Sequence, residues 1–249
     1  MVRKITRLFL RSSHFMMRKK MKDTKQMYSI DSKTYTKKRK RLHQQIIRTF
    51  DKTDAYPKKG KKPVAILIGG GTASGKTTLR KTLVAMDLKA KNISAAIVDI
   101  DEIKEHIPEY AEYKQANPAE AARLVHKEAY DIGMKLLRQL MKKRKNFIFE
   151  STMARTRKFV TLIDDLKTLN YEMHAYIVYV PLPVAKKRAE KRAQLTGRKV
   201  PDHVIENTHK LTPKTFMAIK DRLDSFHVYD NGRGNFTQMD AKDYLKLFQ

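Results

Sequence analysis

The residues whose types and spacing could do chemistry begin with Gly70, Gly75, Lys76 and Thr77. They sit as Gly-x-x-x-x-Gly-Lys-Thr inside the run GGGTASGKTT, residues 69–78. Glycines at these positions let the backbone curl so that successive N–H groups converge on one anion. A helix expected from Lys76 adds its positive N-terminal end. In this pattern the lysine ammonium reaches the outer phosphates of a nucleotide, and the threonine hydroxyl ligates Mg²⁺. The run follows an apolar stretch, PVAILIGG, which is the strand context that the pattern requires. Gly70, Gly71, Thr72, Ala73, Ser74, Gly75, Lys76, Thr77 and Thr78 are therefore the expected nucleotide cradle, with ATP and Mg²⁺ as its expected occupants.

A held phosphate does not name a reaction. A motor ATPase would show an apolar strand ending in Asp; NFIFE is the near match, and it ends in Glu150. No NKxD guanine signature is present. A kinase of small molecules needs a carboxylate near the γ-phosphate, cations for the transferring phosphoryl group, and a lid against water. The segment VDID supplies Asp99 and Asp101, which a single extended strand would point the same way. Asp101 is the candidate base and Asp99 the candidate holder of magnesium-bound water, with a helix cap as the plainer reading of Asp101. Glu150, Ser151 and Thr152 close another apolar run and could meet an acceptor. The segment AKKRAEKRAQLTGRK carries Arg188, Arg192 and Arg198. It reads either as a solvated basic face or as a lid.

The elements that must position these residues alternate. Apolar strands are expected at PVAILIGG, ISAAIVDID, NFIFE, YEMHAYIVYVP and FHVYDN, with helices between them, including a long one opened by Pro118. The pattern predicts an α/β fold of P-loop NTPase or kinase type: five mostly parallel strands with helices on both faces. A basic N-terminal extension precedes it. Residues 1–33 read as a flexible tail, 34–62 as an amphipathic helix and linker, and 63–249 as the kinase domain. Leu42, Ile46, Ile47 and Phe50 share one face of that amphipathic helix.

The 249 residues carry a formal net charge of +28. Residues 1–62 hold 21 Lys and Arg against 4 Asp and Glu, so the excess is concentrated in the first quarter. Such a block can contact nucleic acid or an acidic surface, although a solvated arm is the favoured reading. There is no cysteine, which excludes disulfide frameworks and Cys-ligated metals and fits a reducing, cytoplasmic setting. No apolar run has the length of a membrane span. The start MVRKITRLFLRSSHFMMRKK is too short in its apolar core for a secretory signal, and Met16, Met17, Met21 and Met27 are further potential starts.

Taken in order, AILIGGGTASGKTTLR, VDIDEIKEHIPEY, NFIFESTMA and VYVPLPVAKKRAEKRAQLTGRKVP resemble the zeta-toxin family of P-loop kinases. The resemblance runs from about Val64 to Pro201. It implies ATP-dependent, Mg²⁺-dependent phosphorylation of the sugar 3′-hydroxyl of UDP-N-acetylglucosamine and restraint by a small antitoxin. Position by position it makes Lys76 the P-loop lysine, Asp101 the base, Glu150 a substrate-binding carboxylate, and Arg192 and Arg198 the phosphate-clamping pair. The family's sugar-binding helix Glu falls on Met134, with Glu128 and Asp131 nearby but out of register. Glu128 and Thr152 complete the candidate acceptor contacts. The rival expectations are a kinase of another metabolite or drug, a polynucleotide kinase, and a non-enzymatic nucleotide-gated binding protein.

Overall fold

Strand β1 (Val64–Gly70) is buried at every residue, as its unbroken apolar run requires. A computed structural model describes residues 22–31 and 33–248. Around β1 lie β2 (Ala96–Asp99), β3 (Phe147–Glu150), β4 (Glu172–Tyr179), β5 (Ser225–Asp230) and β6 (Thr237–Met239), in the order β2-β3-β1-β4-β5-β6. The first five strands pair in parallel. The five expected strands are all present. The sixth was not anticipated: it is three residues long and pairs antiparallel with β5, too short to carry a periodic pattern.

The helices, in chain order, are α1 (Thr24–Tyr28), α2 (Lys37–Phe50), α3 (Lys76–Leu79), α4 (Ala85–Ala90), α5 (Ile100–Lys104) and α6 (Pro108–Ala116). They continue as α7 (Pro118–Lys142), α8 (Thr156–Thr168), α9 (Leu182–Thr196), α10 (Asp202–Ile219) and α11 (Ala241–Lys246). The larger core packs α7, α8 and α10 onto one sheet face through residues such as Leu136, Phe149, Ile163 and Phe216. A second core seats Leu79, Val84 and Leu88 against Ile66, Ile68 and Val178 on the other face. Helix α3 does not run unbroken to Met86 as expected. A wide, π-type turn at Arg80–Val84 intervenes, of the kind that often marks functional sites.

The N-terminal reading needs correction. Residues 1–21 lie outside the described residues, but 22–31 are not a loose tail. Helix α1 is capped by the Asp23 carboxylate, and Asp23 and Thr24 are buried against α7. Helix α2 buries Ile46 and Ile47, two of the four apolar residues expected on its inner face, together with Arg39 and His43. Arg39 donates to both Glu109 oxygens at 2.8 and 2.7 Å and to both Glu128 oxygens at 2.6 and 2.8 Å. Burial alone would weaken such a group. The two carboxylates outweigh it and hold the guanidinium firmly charged.

Candidate active site

Parallel strands end together, and in this sheet the carboxyl ends of β1, β2 and β3 meet at one edge. That edge opens into a continuous cleft of about 1750 Å³. Thr72, Ala73, Gly75, Lys76, Thr77, Thr78, Asp99, Asp101, Glu150, Thr152, Arg188, Arg192 and Arg198 all line it. Gly70, Gly71 and Ser74 lie behind the lining as the loop's inner frame.

The loop from Gly70 to Gly75 is held from behind. Gly75 caps α3 with a left-handed φ of 99°, and the Asn231 amide stands where a side chain at Gly75 would go. Asn231 Nδ2 donates to the Ser74 carbonyl at 2.8 Å. Ala73 also takes a left-handed φ, 61°, the kind of backbone strain a binding loop stores. Lys76 folds back so that its Nζ donates to the Gly70 and Gly71 carbonyls at 3.1 and 3.0 Å. Burial lowers its pKa, opposed by the negative charges of Glu150, Asp101 and Asp99.

The carboxylates are arranged differently from the sequence expectation. Asp99 and Asp101 do not share one extended strand, because the chain turns into α5 at Ile100. Asp99, not Asp101, is the helix cap, accepting the Asp101 N–H at 2.8 Å. Its pKa is raised to about 6 by burial and by the nearby charges of Glu150 and Asp101. Asp101 faces the cleft between Lys104 (2.8 Å) and Arg198. Burial pushes the Asp101 carboxyl up, but those two cations outweigh it and hold it well below the usual carboxylate range.

Glu150 faces the nucleotide loop. One oxygen accepts the Thr77 hydroxyl at 2.6 Å and the other the Arg80 Nε at 2.8 Å. Both oxygens are thus engaged by the nucleotide loop and the turn that follows it. Glu128 is a second correction. It is 0% exposed, it does not line the cleft, and Arg39 and His43 take up its carboxylate at 2.6–2.8 Å. Met134 and Asp131 do line the cleft, and Asp131 is bound there by Tyr35 (2.8 Å) and Lys25 (2.7 Å). Thr152 lines the cleft, with its carbonyl accepting from the Thr212 hydroxyl.

Arg192 is half-buried, and its Nε and Nη2 atoms are buried and unpartnered among the described residues. A buried cation without an anion is costly, so this guanidinium fits an incoming phosphate group. Arg188 is already engaged, donating to the Asn231 carbonyl at 2.7 Å. Among the described residues no three His, Cys, Asp or Glu side chains gather into a metal cage. Thr77, bonded to Glu150, with Asp99 also lining the cleft, instead fits the way Mg²⁺ is held in phosphate sites: one or two protein oxygens, with water and phosphate as the other ligands.

Sequence reasoning missed Arg80. It stands on the wide turn and bonds Glu150, Glu102 (2.6 Å) and Asp99 (3.3 Å) from a buried position. A signal existed: an arginine four residues after Lys76 falls on the same face of the helix. Asn231 was missed too, although it ends a strand at the carboxyl edge, where ligands gather in open α/β sheets.

Comparison with known proteins bears on the family and the fold. The zeta-toxin family model matches residues 47–239. Toxin PezT of Streptococcus pneumoniae is 23% identical over 210 residues, covering 76% of this chain and 79% of that protein. The solved PezAT chromosomal toxin–antitoxin system of the same organism shares the fold, with a TM-score of 0.65, 18% identity and coverage of 86% and 88%. The AvrRxo1-ORF1:AvrRxo1-ORF2 complex with sulphate ions superposes with a TM-score of 0.69 at 16% identity, covering 92% of this chain and 82% of that one. The same pair has also been solved with ATP. With the family model spanning most of its length, this chain belongs to the zeta-toxin family of P-loop kinases.

Proposed function

We propose that this kinase transfers the γ-phosphoryl group of ATP to the sugar 3′-hydroxyl of UDP-N-acetylglucosamine. The observation that carries the transfer is a single cleft holding both a phosphate grip and a carboxylate, Asp101. Lys76, the unpartnered Arg192, Asp101 and Thr152 all line it. Its 1750 Å³ exceeds the roughly 300–1,000 Å³ of a single-ligand pocket, which leaves room for donor and acceptor together.

Lys76 and Arg192 neutralise charge on the transferring group, and Asp101 orients the attacking hydroxyl and receives its proton. Arg198 rests on Asp101 and is drawn toward incoming phosphate, which removes one of the two cations that hold the carboxyl below its usual range. Thr77 would hold Mg²⁺, which would supply further neutralisation of the phosphate oxygens. The acceptor's identity rests on family membership. A kinase of another small metabolite is favoured by one observation, the turning away of Glu128 and the presence of Met134 in the cleft.

Kinship with proteins solved as toxin–antitoxin pairs supports a small protein partner that restrains the enzyme. No helix among the described residues is long and apolar enough to cross a membrane, which is compatible with action in the cytoplasm. Incubation of the purified protein with ATP, Mg²⁺ and a nucleotide-sugar panel, followed by mass spectrometry, tests the substrate. Phosphorylated UDP-N-acetylglucosamine is expected. Turnover only of a different metabolite would overturn the acceptor and spare the kinase.

A further inference from the structure

Helix α10 touches both loops that a transfer must bring together. The Thr208 hydroxyl accepts the Thr72 backbone N–H at 3.0 Å, lies 3.1 Å from the Thr72 hydroxyl, and donates to the Ile205 carbonyl at 2.9 Å. The neighbouring His209 has Nε2 3.0 Å from the Thr72 carbonyl, so that nitrogen carries the proton. Burial keeps the imidazole pKa below its ordinary value, and the ring occupies the space a side chain at Gly71 would need. One helical turn on, the Thr212 hydroxyl is 2.6 Å from the Thr152 carbonyl and 2.6 Å from the Thr208 carbonyl. A hydroxyl has one proton, so it serves one carbonyl at a time.

Thr72 belongs to the nucleotide loop and Thr152 to the loop after β3. Both loops contain a residue other than glycine in left-handed conformation, Ala73 at φ 61° and Met153 at φ 52°. Such backbones persist only when their surroundings hold them. Thr208 and Thr212 are buried, at 8% and 2% exposure, and stand on the same face of one helix.

We infer that α10 is a strut coupling nucleotide occupancy to the acceptor loop, with Thr208, His209 and Thr212 as its positioning residues. This rests on the donor-site reading given under Proposed function. Thr208 and His209 fix the Thr72 peptide. Thr212 conveys its position to Thr152 by choosing between a bond within the helix and a bond to the acceptor loop. The choice is a local two-state element that nucleotide can bias.

Hydrogen exchange of the full chain, with and without a non-hydrolysable ATP analogue, tests the inference without knowledge of the acceptor. Nucleotide should protect amides in residues 150–156 of the unaltered chain and of Thr212→Ser, which keeps the hydroxyl. In Thr212→Val that protection should fall about fivefold, the loss of one net hydrogen bond, with analogue affinity changed less than twofold. If Thr212→Val unfolds, Thr208→Val against Thr208→Ser asks the same question at the other end of the strut. Equal protection in the Val and unaltered proteins, or a Ser variant that behaves like Val, would overturn the coupling. An unaltered chain that binds no analogue would overturn the donor-site reading and this inference with it.

Discussion

Glu150 and Glu128 are the same residue type, both buried, and both were candidates for substrate contact, yet the fold uses them in opposite ways. Glu150 ends a strand at the open edge and bonds the P-loop threonine. Glu128 lies mid-helix on α7, and its oxygens are consumed by Arg39 and His43. The contrast extends to their surroundings. Around the nucleotide loop, cation and anion are left incompletely matched, with Arg192 unpartnered. Around α7 the nearby carboxylates are closed off: Glu128 and Glu109 by Arg39, and Asp131 by Lys25 and Tyr35. Unmatched buried charge marks the place of chemistry, and matched buried charge marks the scaffold.

The sharpest break of that comparison is on the reactive side. Asp101→Asn should lower kcat for phosphoryl transfer by about 10²–10⁴-fold, and it should also lower thermal stability, because the buried Lys104 loses its carboxylate. Steady-state kinetics beside a melting curve checks both halves of that statement. On the scaffold side, Glu128→Ala leaves Arg39 short of one partner inside the protein and should cost roughly 3–5 kcal/mol, read from urea unfolding. Retained stability there would show that the matched cluster is not structural.

The same cluster gives a pH test. Burial pushes the Glu128 carboxyl up, but Arg39, His43 and Thr24 outweigh it and lower its pKa to about 2. A depressed carboxylate stabilises the fold fully above its unfolded pKa of about 4.3 and loses that contribution as pH falls toward 2. Chemical denaturation between pH 5 and 2 should show a drop that is flatter in Glu128→Gln. The smallest effect belongs to a surface pair. Arg123→Ala breaks the contact with Glu120 on the exposed start of α7 and should change stability by less than about 1 kcal/mol.

How much of this was legible in the sequence follows from how far apart the interacting residues lie. The nucleotide loop is a local object: its glycines, Lys76 and Thr77 fix their own geometry within nine residues, and the five parallel strands announce themselves by composition. Glu128 could not be assigned, because its partners Arg39 and His43 are 89 and 85 residues away. The basic charge of the N-terminal segment hid the few side chains that bury it. Asp99 and Asp101 were misplaced relative to each other because a strand can end one residue before a pattern does, and the turn into α5 rotates the second carboxylate.

The Arg39–Glu128 link also has a temporal side. The chain emerges from the ribosome N-terminus first, so Arg39 must wait for 89 further residues before its partner exists. At ordinary elongation rates that delay is on the order of ten seconds. During it α1 and α2 have no α7 to dock on, and the earliest part of the polypeptide becomes one of the later parts to acquire its final place. The nucleotide loop at residues 69–78 is thus made before α7, but the N-terminal helices take their final place only after α7 has followed it out.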